Sequence, residues 1–233
     1  MTVTVLAQTG RPFPDWAWFS ERNLDELQEL LVEHLQLTAF ALLFGLAIAI
    51  PLAVAAVRWR RLYTPLLAST GVLFTVPSAA LFILLLALLP QRPPFGLGAG
   101  TSLVGLTIYT LLILFRNTVA GLESVPPDVT EAATAMGYTT GRRLLQVEFP
   151  LALPVIIAGV RIAAVTTIGL VTITAFIGQG GLGRLFLSGF RTQYTMEIAV
   201  GLVLSVALAV IVDLALVLTE RRLTPWSQSR GVA

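Results

Sequence analysis

Leu35–Val57 reads LQLTAFALLFGLAIAIPLAVAAV and carries no charge between His34 and Arg58. A hydrocarbon core about 30 Å thick is crossed by about 20 helical residues, so this stretch is long enough to span a membrane. Outward from it the pattern returns. Leu62–Gln91 is uncharged from Arg61 to Arg92, and Pro93–Phe115 from Arg92 to Arg116. Leu151–Ile177 holds one charge, Arg161, and Ile198–Leu218 holds one, Asp213. Backbone groups in lipid must be satisfied within the segment, so apolar runs of this length are helices. The chain therefore reads as an all-α integral membrane protein with five transmembrane helices, near 36–57, 66–89, 100–115, 151–177 and 196–218. Pro77, in TVPSAALF, predicts a kink or local unwinding in the second span.

Composition narrows the function classes. Of 233 residues, 56% are hydrophobic and 12% charged, about half the charge of an average soluble domain. This excludes an ordinary soluble enzyme, a disordered chain and a nucleic-acid binder. Cysteine is absent, which removes disulfides, thiolate nucleophiles and Cys-based metal sites. All fifteen basic residues are Arg, and a Walker A loop needs its Lys. A single His, His34, cannot form an HExxH site. No catalytic, cofactor or metal-binding residue is expected.

Arginine bias orients the spans. Arg58, Arg60, Arg61, Arg116, Arg142, Arg143, Arg221, Arg222 and Arg230 fall on one side, against Arg11, Arg22, Arg92, Arg184 and Arg191 on the other. Nine against five places the N-terminus outside and the C-terminus in the cytoplasm of a plasma (inner) membrane. MTVTVLAQTG has no basic n-region leading into an apolar stretch, so the first span is expected to be its own insertion signal. Leu24, Leu27, Leu31 and Leu35 recur at helical spacing with acids between them, and Asn23 is a candidate cap with Glu26 reaching back. That segment reads as an amphipathic helix on the outer interface. Trp16, Trp18, Trp59 and Trp226 sit near span ends, where an aromatic belt forms. His34, at the top of the first span, reads as an interfacial snorkelling residue.

Two charges lie inside spans, and either alone is expensive there. Arg161 is about 15 Å from the cytoplasmic start of its span and Asp213 about 10 Å from the same side, at 1.5 Å per residue. Their similar depths predict an interhelical ion pair. Gly178-Gln179-Gly180-Gly181-Leu182-Gly183 fits G-x-G-x-x-G, but it follows a membrane helix rather than a strand, so it reads as a tight turn and not a dinucleotide site.

The segment 116–150, RNTVAGLESVPPDVTEAATAMGYTTGRRLLQVEFP, is longer than a connector requires. Pro126-Pro127 breaks the chain, Asp128 or Thr130 can cap a helix through EAATAM, Gly137 ends it, and TTGRRLL starts another. Two short helices joined at a glycine, on the cytoplasmic face, suggest a docking element.

Glu131-Ala132-Ala133, three residues, Gly137, nine residues, then Val147-Glu148-Phe149-Pro150 resembles the EAA motif of ABC-importer permeases. That motif runs EAA, three residues, G, nine residues, then I-x-L-P, so Val147 and Phe149 are conservative departures. RNTVAGLESVPP before it, FPLALPVIIAGVR after it, TAFIGQGGLG, HLQLTAFALLFGLAIAIPLAV and TVPSAALF are similar to permeases for glycine betaine, choline and carnitine. The likeness covers about residues 33–222.

The resemblance implies a type I ABC importer permease fold. It implies an external N-terminal segment over 1–35, a transmembrane domain over 36–222 with its coupling loop at 116–150, and a cytoplasmic tail over 223–233. Glu131, Ala132, Ala133, Gly137, Val147 and Pro150 would dock on a separate pair of ABC ATPase subunits. Gly178, Gly180, Gly181 and Gly183 would gate the outer mouth or meet an extracytoplasmic solute-binding protein. A second permease copy or a paralogue would complete the pathway, in contact with membrane lipid and with no nucleic acid. The chain would be no enzyme. Methionine permeases share the EAA loop and a GGLG segment, so methionine or another small solute is the alternative cargo. A stand-alone secondary transporter is the competing class; it accounts for five spans but not for the loop.

Overall fold

A computed structural model of the protein describes residues 14–19, 21–90, 92 and 98–226. The leader reading of MTVTVLAQTG, and Arg11 and Arg230 of the charge count, lie outside the described residues. The described chain is helical: α1 (Glu21–Arg58), α2 (Arg60–Phe74), α3 (Ser78–Leu88), α4 (Ala99–Glu123), α5 (Pro127–Ala135), α6 (Thr140–Arg143), a π turn (Leu144–Glu148), α7 (Phe149–Ile173), α8 (Gly183–Thr192) and α9 (Thr195–Leu223). Four stretches are long and apolar enough to cross a membrane unbroken: Leu24–Arg58, Ala99–Glu123, Thr140–Ile177 and Thr195–Leu223.

The expected second span is not one continuous helix, and the described chain has four spans, or five if this bent pair crosses. Arg61–Phe74 and Ser78–Leu88 meet at 99°. Pro77 has no N–H to continue the ladder, and its ring pushes Val76 out of helical geometry. The Val76 carbonyl freed by the break accepts a hydrogen bond from the Tyr109 hydroxyl at 2.6 Å, the kind of substitute partner a broken helix in lipid needs.

The chain forms two compact units, and α1, α4, α7 and α9 each supply one stretch to both. In the first unit, Leu37, Ala41, Phe82, Leu106, Val171 and Ile177 form the buried cluster. In the second, the alanine stripe Ala49, Ala53 and Ala56 of α1 packs with Leu114, Phe115 and Val119 of α4 and Ala163 of α7. Small residues let helix backbones approach where lipid gives no hydrophobic drive between helices. Gly159 is the extreme case, since a Cβ there would sit 2.3 Å from Asn117 Cβ.

Several expected boundaries shift. The amphipathic segment and the first span are one helix without a break, so Asn23 lies inside its first turn and is not its cap. Its buried face is Leu30, His34, Leu37 and Thr38, whereas Leu24 and Leu35 are exposed. The apolar spacing was right for a helix, but the stripe is rotated because His34 belongs inside it. Trp18 is buried, unlike Trp16, Trp59 and Trp226. The third span does not stop at Arg116; α4 continues to Glu123 with that arginine exposed. TTGRRLL does not form a separate short helix either, because α6 runs through the π turn into α7.

Candidate functional site

Pro126 and Pro127 start α5, with Pro127 in the first turn and no side-chain cap. Fixed proline φ pre-organises a helix start and its missing N–H costs nothing there. Asp128 therefore sits in the first turn rather than capping it, and the Thr130 hydroxyl donates to Pro127 O at 2.7 Å. At the other end, Tyr138 N–H reaches Ala133 O at 3.1 Å and Gly137 N–H reaches Thr134 O at 3.0 Å. Those two bonds with Gly137 at φ +85 make a Schellman cap. A Cβ on Gly137 would meet nothing within 4 Å. The glycine is required by its left-handed backbone and not by crowding.

The EAA residues do not share one environment. Glu131 and Ala132 are exposed, but Ala133 is buried in the chain's own structure. Ala133 therefore holds α5 down, while Asp128, Glu131, Ala132, Thr134 and Ala135, with Met136 just past the helix end, are exposed. Val147 lies in the π turn and Pro150 in the first turn of α7, both half-buried. A concavity of about 400 Å³ is lined by Thr130, Glu131, Thr134, Ala135 and Arg143.

In α7 and α9, the Arg161 guanidinium grips Asp213 with two bonds, Nε to Oδ1 at 2.8 Å and Nη2 to Oδ2 at 3.0 Å. Its remaining Nη1 reaches Glu220 Oε2 at 3.5 Å. The side chains keep 31%, 33% and 25% of their area exposed. Glu220 was not foreseen as a member. The signal was present, since Asp213 and Glu220 are seven apart, two helical turns on one face.

In the other unit the glycine-rich turn follows a 3-10 turn over Thr174–Ile177, with φ of +91 at Gly178, +126 at Gly180 and +46 at Gly181. A Cβ on Gly180 would lie 2.5 Å from Ala175 N, on Gly181 2.6 Å from His34 Cβ, and on Gly183 2.3 Å from Thr172 O. Gly178 is exposed with open space around it. Two neighbouring residues of α1 hold the turn. Gly180 N–H donates to Glu33 Oε1 at 3.1 Å, and Arg184 pairs with Glu33 Oε2 at 3.6 Å. Leu182 N–H donates to His34 Nδ1 at 3.3 Å, and His34 Nε2 is 3.0 Å from Ile168 O. An N–H can only donate, so Nδ1 accepts and Nε2 carries the proton that bonds Ile168.

His34 is thus fully buried and is a structural latch, not an interfacial snorkeller. Its two ring nitrogens meet backbone groups remote in sequence, which no local pattern announces. Glu33 was missed for the same reason. Beside the turn, a cleft of about 650 Å³ is lined by Glu26, Phe176, Gln179, Arg184, Ser188 and Arg191 among others. Among the described residues no cluster of three His, Asp or Glu side chains is placed to hold a metal ion.

Residues 41–225 match the family described as "Binding-protein-dependent transport system inner membrane component". The osmoprotectant import permease protein OsmW of Salmonella typhimurium is 38% identical over 87% of this chain and 94% of its own. The glycine betaine/carnitine/choline transport system permease protein OpuCD of Bacillus subtilis is 36% identical over 97% and 94%. Among solved structures, an inward-facing form of the MetNI methionine ABC transporter superposes with a TM-score of 0.80 at 24% identity, over 88% of this chain and 100% of that one. At that identity the likeness concerns the fold alone.

Proposed function

The chain belongs to the family of binding-protein-dependent transport system inner membrane components, and from that premise we propose that it is the permease through which an ABC importer takes up an osmoprotectant quaternary amine: glycine betaine, choline or carnitine. It is a transport component and not an enzyme. The observation that carries the cargo class is the naming of relatives that match almost end to end: osmoprotectant import for one, glycine betaine, carnitine and choline transport for another. The superposition on a methionine transporter makes methionine the control solute rather than a second reading.

In this reading Glu131, Ala132 and Met136 of α5 meet an ABC ATPase subunit. Gly137 shapes the turn behind them, and Ala133, Val147 and Pro150 pack the docking element onto the chain. Two such permeases, identical or paralogous, enclose the pathway in the plasma membrane, with the N-terminus outside and the C-terminus in the cytoplasm. The turn around Gly178, Gly180, Gly181 and Gly183 gates the outer mouth or receives an extracytoplasmic solute-binding protein. ATP-driven closure of the ATPase pair displaces α5, and the displacement favours one of two permease conformations. A proton-coupled carrier would need an available intramembrane acid, whereas both oxygens of Asp213 are engaged by Arg161.

The test is uptake of labelled glycine betaine, choline, carnitine and methionine into proteoliposomes holding the permease, its ATPase and its binding protein. ATP-dependent entry of at least one quaternary amine, with methionine excluded, is the expected result. Uptake of methionine alone, or gradient-driven uptake with no ATPase present, would overturn the reading.

A further inference from the structure

We infer that Arg143 is a positioning residue that makes α5 and the transmembrane helix α7 move as one body, and that the π turn over Leu144–Glu148 serves to seat Glu148 on it. The inference rests on the proposal that α5 docks the ATPase.

Arg143 is a fork with two partners on two elements. Its Nε donates to Glu148 Oε1 at 2.5 Å, at the end of the π turn. Its Nη1 donates to Thr134 Oγ1 at 2.9 Å, on α5. The Thr134 hydroxyl spends its own proton on Thr130 O at 2.7 Å, so its oxygen is free to accept, and donor and acceptor roles agree along the chain of bonds. A guanidinium holds these two directions in one rigid plane, which an ammonium cannot.

The π turn is what makes the second grip available. In an α-helix, residues five apart point about 140° away from each other. Bonds from residue i to i+5 bring them into line, and here Phe149 N–H closes that ring on Leu144 O. Arg143 and Glu148 are five apart and half-buried, with side-chain exposures of 26% and 15%. Such a pair is less screened than the exposed pairs that contribute almost nothing.

The covalent link between α5 and α6 would transmit motion poorly by itself. It is a Schellman turn at Gly137 with no atom packed against the position a Cβ would take. The bonds of the neighbouring Arg142 do not extend to α5: it donates to Gln146 at 3.0 Å and lies over the ring of Tyr138, within the link itself, at 5.2 Å. Arg143 is the arginine that reaches α5. It also borders a crevice of about 90 Å³ lined by Val54, Val57 and Arg58 of α1 and Leu122 of α4, so the strut ends among the transmembrane helices it is meant to move.

The experiment compares Arg143→Gln, Glu148→Gln, Arg143→Lys and a deletion of Gln146, which returns the turn to α register, in the transporter assembled with its ATPase and binding protein. Uptake per ATP hydrolysed is expected to fall about tenfold in Arg143→Gln, Glu148→Gln and the deletion, and less in Arg143→Lys, with the ATPase retained. Unchanged uptake per ATP overturns the inference, and so does loss of the ATPase from the Arg143→Gln complex, which would make Arg143 a docking residue. A second measurement does not depend on the ATPase. The chain has no cysteine, so spin labels at Asp128→Cys and Leu151→Cys report the α5–α7 distance directly. A narrow distribution in the parent that broadens in Arg143→Gln supports the strut; equal widths sink it, whatever α5 docks.

Discussion

The imidazole of His34 bonds a backbone N–H with one nitrogen and a backbone carbonyl with the other. His34→Ala would strand the Leu182 N–H in the interior, where an unmet donor costs about 1–3 kcal/mol, and would remove the second bond accepted by the Ile168 carbonyl, which keeps its place in the α7 ladder. Purified His34→Ala protein should therefore unfold at a lower temperature, read by thermal aggregation in detergent; an unchanged midpoint would show that water replaces the ring. The glycines differ in kind. At Gly180 and Gly181 a Cβ collides with backbone or with His34, so Gly181→Val should impair solute uptake while the ATPase still co-purifies. Gly137 has room but a left-handed φ of +85. Gly137→Val should cost about 1–2 kcal/mol and weaken ATPase retention, while Gly137→Asn, which tolerates that region, should keep it. Equal retention in both variants would mean that the turn's backbone is not what positions α5.

At the scale of elements, two helices can be tested as pairs. Arg161→Leu leaves Asp213 without its two hydrogen bonds. The loss matters because a charge inside an apolar span needs a partner. Yield of folded permease should drop, and the swap of Arg161→Asp with Asp213→Arg should recover part of it. Normal expression of both single variants would deny the pair a structural role. Glu220→Gln should matter less, since Glu220 sits at 3.5 Å from the third guanidinium nitrogen. Within α5, Ala133→Trp should disrupt the chain's own packing, whereas Ala132→Trp, on the exposed side, should block ATPase binding without lowering permease yield.

For the molecule as a whole, the prediction concerns sidedness. A single cysteine at Gln179 should react with an impermeant maleimide in intact cells, and one at Met136, which is 70% exposed, only after permeabilisation. The reverse labelling would invert the orientation that nine arginines against five imply. Labelling of both from outside would show that the Thr140–Ile177 stretch, which lies between them, does not cross the membrane.

How much was legible depends on how far apart in the chain the deciding residues lie. Uncharged run lengths determined the helical membrane class, because lipid forces each apolar segment to satisfy its own backbone. The Glu131–Pro150 spacing pointed, by likeness, to the family. Arg161 and Asp213 could be paired from sequence because charge in lipid demands a partner and few were on offer. Tertiary structure alone decided which face of each element was spent inward. It buried Ala133, rotated the α1 stripe to include His34, bent the second span by 99° and placed Glu33 and His34 on the glycine turn. It also set a π turn where an α-helix would read just as well in sequence, because the bond that favours it, Arg143 to Glu148, exists only once the turn has formed. Local spacing reports what a helix can present, and only packing against distant residues selects which of those faces is used.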